Sequence, residues 1–88
     1  MEGPRSWLRT VTYFVAIPFR LSEDGAIVAG DPQECRDGGK AARVAAIMAA
    51  DPKNCGAIAF SRTGDPALGD FEDAVIITQI GDVDGAPL

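Results

Sequence analysis

The stretch "TVTYFVAIPFRLSEDGAIVAG", Thr10–Gly30, decides how the rest of the chain is read. Val11, Tyr13, Val15, Ile17 and Phe19 alternate with Thr10, Thr12, Phe14, Ala16 and Arg20. Successive side chains leave a pleated backbone on opposite faces, so a period of two in β-branched and aromatic residues marks a strand. Asp24-Gly25 separates this run from "AIVAG", and Asp-Gly between two apolar runs is a strong hairpin signal. Pro18 has no N–H to give to a ladder, so its end of the strand is expected at an edge or a bulge.

Beyond the hairpin, the returning strand is expected to run irregularly toward Cys35. Two helix starts compete after it. Asp31-Pro32-Gln33-Glu34 has cap, first-turn Pro and acidic third position, but would bury Gly38-Gly39 inside the helix at roughly 1 kcal/mol each. Asp37 as N-cap avoids that, and predicts a helix over Gly38–Ala50. Ala41, Val44, Ala45, Ile47 and Met48 then form one stripe, while Lys40 and Arg43 face solvent. Asp51-Pro52 stops the helix, because a residue before proline is pushed out of helical geometry.

"CGAIAFSR" (Cys55–Arg62) follows as a third strand, and "FEDAVIITQIG" contributes a fourth around Ala74–Ile80. The fold class expected is α+β, in the order ββαββ: a four-stranded, mainly antiparallel sheet with one helix packed on one face. Its 88 residues make one small domain, with residues 1–9 and 82–88 as loose termini. A single helix covers a single face, so the other face, with Phe14 as its exposed aromatic, is expected to meet solvent or a partner.

Charge divides the chain. Residues 1–62 carry eight basic and seven acidic side chains; residues 63–88 carry six acids and no Lys or Arg. Nucleic-acid binding needs Lys and Arg to neutralise phosphates, and anionic membranes need the same, so both partners are excluded. The apolar run Val11–Phe19 is too short to span a bilayer. Two cysteines, Cys35 and Cys55, are too few for a disulfide-stapled secreted domain, and the chain is expected in the cytoplasm with reduced thiols.

The acidic segment Asp65–Asp73, "DPALGDFED", holds Asp65, Asp70, Glu72 and Asp73 among turn formers. It lacks the oxygen ligands an EF-hand needs at its third and fifth positions. These four carboxylates remain weak candidates for an irregular divalent-cation site; otherwise they build a wet turn or a contact surface. Arg62 is expected to pair with Asp65 or Glu72 across that turn. "GGK" at Gly38–Lys40 has Glu34 where a phosphate loop has its first glycine and Ala41 where it has its hydroxyl. "GAIAF" has one aromatic, too few for an RNA-recognition strand. With no His, acid–base catalysis at neutral pH needs shifted carboxylates or Cys, so an enzyme is not the leading class. No cofactor is implied and no catalytic residue is named.

The segment "GAIAFSRTGDPALGDFEDAVIITQIGDV" (Gly56–Val83) resembles a group of short bacterial proteins sharing a G-A-x-A-F-S-R-x-G-D-P core, a Gly–acidic–Phe step and a closing Gly–Asp strand. The resemblance implies that the acidic loop belongs to the group; it carries no activity. The function expected is a small non-enzymatic protein-interaction or accessory module. Its partner is another protein or a second copy in a homodimer, and its contact residues are Phe14, Arg62, Asp65, Asp70, Glu72 and Asp73. The rival is a small-ligand or divalent-cation domain using residues 65–73.

Overall fold

The computed structural model describes residues 10–84. Along them lie β1 (Val11–Leu21), β2 (Ile27–Ala29), β3 (Gln33–Cys35), α1 (Gly38–Ala50), β4 (Gly56–Asp65), β5 (Asp70–Phe71) and β6 (Val75–Gly81). Among the described residues the protein is α+β, with one helix on a curled sheet whose strand pairs are all antiparallel. The long strands β1 and β4 form the centre and pair along nine residues, from Val11 opposite Gly64 to Phe19 opposite Gly56. β2 and β3 share the outer side of β1, and β5 and β6 share the outer side of β4.

The simple ββαββ order is thus refined, because both outer strands are split. On the β1 side the cause is proline. The Pro18 carbonyl accepts from Gly30 N at 2.8 Å, and a strand residue's N and O point the same way. The missing Pro18 N–H therefore faces the returning chain, which leaves the ladder between Ala29 and Gln33. Pro18 sits in a central strand, not at an edge, and it is the neighbouring strand that yields. The hairpin itself closes through Ser22–Ala26 in a three-residue loop ending on Gly25, at φ +86°.

The helix occupies Gly38–Ala50, as its caps predict. Asp37 Oδ1 accepts from Lys40 N at 2.7 Å, satisfying a first-turn donor. At the far end Asn54 Nδ2 donates to the Met48 carbonyl at 2.9 Å. Ala41, Val44 and Ala45 are buried, with Met48 packed beside them. Ile47 departs from the expected stripe and is exposed; it lies more than a quarter turn from that face.

Two apolar clusters hold the sheet, one on each face. Under α1 lie Ala16, Ala57 and Ala59, with Phe14 and Cys35 at the margin. Opposite lie Ile17, Phe19, Ile58 and Phe60, all buried. Val15, Ile27, Cys55, Ala74 and Val83 rim this second cluster. Two expectations are corrected here. The face away from the helix is not left open at its centre, because segments flanking β4 and β6 pack against it. Phe14 is not on that face: its even position puts it beside α1, with its ring near Gly38. Val83, expected in a loose tail, is half-buried, and Asp82 N donates to Cys55 O at 3.0 Å. The outermost residues, 1–9 and 85–88, lie outside the described residues.

Cys35 belongs to the helix-side cluster and Cys55 to the other, so the sheet separates the two free thiols. Among the described residues no helix is long and apolar enough to cross a membrane.

Candidate functional site

The acidic segment folds as the β4–β5 hairpin. Asp65 starts its turn twice over: its carbonyl accepts from Leu68 N at 3.1 Å, and its Oδ1 accepts from Ala67 N at 2.9 Å. Pro66 supplies the fixed φ that the second residue of such a turn requires. Gly69, at φ +68°, then brings the chain back into β5 through the left-handed region that side chains avoid. Asp70 comes to rest opposite Asp65 and Phe71 opposite Gly64.

Four contacts fix this hairpin to the sheet. A Cβ on Gly64 would lie 2.4 Å from Phe71 Cδ1, so the missing side chain is what lets the Phe71 ring cross β4. That ring reaches Tyr13 on β1, with centroids 6.1 Å apart at a 47° tilt, a favoured aromatic geometry. Arg62 Nε donates to the Glu72 carbonyl at 3.0 Å, and Glu72 N donates to Thr63 O at 2.8 Å. Arg62 therefore reaches the residue expected, but through its backbone; no ion pair joins it to Asp65 or Glu72 among the described residues.

Thr10, Gly64, Asp65, Leu68, Asp70, Phe71 and Glu72 line a cleft of about 200 Å³. The structure brings together Asp65, Asp70 and Glu72 around it, while Arg62 and Asp73 are not among its lining residues. Phe14 lies apart, under the helix. The carboxylates differ in role. Asp65 is only 7% exposed and is spent on the turn, whereas Asp70, Glu72 and Asp73 are exposed. Among the described residues, no group of three or more His, Cys, Asp or Glu side chains could hold a metal ion.

Leu68 and Phe71 join the site without having been singled out in the sequence. Leu68 is 67% exposed at the tip, and Phe71 is partly exposed beside the cleft. Their signal was available: they are the large apolar residues inside an acidic, turn-forming run, where solvent exposure favours neither.

What the geometry defines is a class, a one-helix antiparallel α+β domain with an acidic hairpin at one end. No family model, curated protein or solved structure matches the chain to carry that description further.

Proposed function

We propose that this protein is a small non-enzymatic contact module whose working surface is the β4–β5 hairpin. The observation that carries the reading is the tip itself, where exposed Leu68 and Phe71 stand among exposed Asp70, Glu72 and Asp73 on a turn held by Asp65. An apolar pair framed by charge is the composition of a contact patch, with the apolar atoms supplying desolvation and the rim supplying orientation. A turn fixed in advance lowers the ordering cost of binding. The cleft is smaller than the 300–1,000 Å³ or so usual for small-molecule sites, which favours a protein partner over a small ligand.

The partner that fits is a protein surface with basic residues around an apolar pocket, on another chain or on a second copy. Six acids without a Lys or Arg in residues 63–88 set nucleic acid and anionic membranes aside. The resemblance of Gly56–Val83 to short bacterial proteins is consistent with an accessory role in the cytoplasm. The test is quantitative cross-linking in cell extract with wild type and the double variant Leu68→Ser/Asp70→Lys. Loss of the wild-type cross-links with an unchanged circular-dichroism spectrum supports the hairpin as the contact surface. The same partners in the same yield would refute it.

A further inference from the structure

We propose that the outer edge of β6 accepts an extended strand from a partner polypeptide that is apolar in its middle and basic at both ends. This site borders the hairpin and shares Asp73 with it, but it uses neither Leu68 nor Asp70. It starts from an edge that carries no charged or proline guard. β6 pairs with β4 along Gly56–Ser61, and among the described residues no strand pairs with its other side. Natural sheets guard such edges with Lys, Pro or inward-pointing charge. Val75–Gly81, "VIITQIG", contains none of these. Val75, Ile76 and Ile77 are 63%, 44% and 37% exposed, so apolar side chains as well as backbone groups wait along this edge. Adding a strand to it would satisfy the outward N–H and C=O groups and cover those side chains.

The ends of the strand specify the occupant. Asp73 precedes it and Asp82 follows it, and both are exposed. Neither side chain makes a hydrogen bond or ion pair among the described residues. They lie nine positions apart, or about 30 Å in extended chain. A partner strand carrying Lys or Arg near each end would meet a carboxylate at each end. A second copy is the poorer occupant: pairing β6 with itself, parallel or antiparallel, sets acidic ends against acidic ends. The register shift between Ala59 and Phe60 also divides the edge into short runs. That suits a short peptide and turns away a long flat sheet.

The probe is a pair of synthetic nonapeptides with blocked termini, KRVTVTVRK and EDVTVTVDE, titrated into isotope-labelled full-length protein. The readouts are amide shifts and hydrogen exchange, with light scattering for mass. The basic peptide should move Val75–Gly81 signals and slow their exchange, and the acidic peptide should not. Asp73→Lys/Asp82→Lys should weaken the basic peptide by roughly tenfold, the worth of two exposed ion pairs, and admit the acidic one. Leu68→Ser/Asp70→Lys should leave peptide binding unchanged, so this inference and the hairpin reading fail separately. No change in β6 with about 1 mM basic peptide, or equal binding of both peptides, overturns the proposal. So does a dimer that already protects β6 without peptide, since a second copy then holds the edge.

Discussion

On one side of the β1–β4 pair stand Ala16, Ala57 and Ala59 under a helix; on the other stand Ile17, Phe19, Ile58 and Phe60, with no helix above them among the described residues. The same two strands thus hold small side chains on one face and large ones on the other, and both sets are buried. The helix presents Ala41, Val44 and Ala45, and alanine facing alanine lets the two backbones approach closely. The opposite face fills its volume with aromatic and branched side chains, closed at the rim by Ile27, Cys55, Ala74 and Val83. Core stability in this small domain is therefore carried by volume on one side and by proximity on the other.

The two faces should fail in opposite ways. Phe19→Ala removes the largest fully buried side chain, and we expect a loss of about 3–5 kcal/mol in urea unfolding. Ala59→Leu adds volume where the helix leaves none, and should cost about 1–3 kcal/mol by forcing α1 outward. Ile47→Ser, on the solvent side of that helix, should stay within about 0.5 kcal/mol of wild type. A Phe19→Ala variant as stable as Ile47→Ser would mean that the face away from the helix is no core, and the contrast would collapse.

Local signals made the helix legible. Asp37 and Asp51-Pro52 announce both of its ends, because caps and proline act within a few residues of chain. The alternation through Thr10–Leu21 also sorted its side chains correctly onto two faces. Which face the helix takes is a non-local choice, and periodicity does not contain it; that is why Phe14 was expected in the open. The alanines held the missing clue, since an alanine-rich helix packs best on the face that is itself alanine-rich. At the site the turn was legible from Asp65-Pro66 and Gly69. The inward rotation of Asp65 and the position of β6 at the sheet's margin depend on pairing across tens of residues, and composition alone does not report them.

A second contrast, between buried and exposed carboxylates of the hairpin, predicts an intermediate effect. Asp65→Ala strips the buried turn of the acceptor for Ala67 N and should cost about 1–3 kcal/mol. Asp73→Ala, on an exposed residue eight positions later, should change stability by no more than about 0.5 kcal/mol. Denaturation midpoints of the two variants measure the difference directly. Equal midpoints would show that Asp65 is not the turn's anchor, and would return it to the pool of contact residues.

The smallest effect belongs to the other turn, where the acid is exposed and its partner is a hydroxyl. Ser22 Oγ donates to Asp24 Oδ1, and Ala26 N adds a longer contact at 3.4 Å. These hydrogen bonds, the one from Ser22 foremost, hold the Asp24 carboxyl below its ordinary value of 3.8. The native state therefore favours the ionised form more than the unfolded chain does. Its contribution is fully present above the unfolded value near 3.8 and is lost as pH falls through the lower folded value. Wild type and Asp24→Asn should differ slightly in urea midpoint at neutral pH and converge in strong acid. Direct titration of the Asp24 carboxyl carbon by NMR supplies the sharper check. A midpoint at or above 3.8 would mean that the Ser22 bond does not outlast solvent competition, and that of the two turns only the buried one is held by its acid.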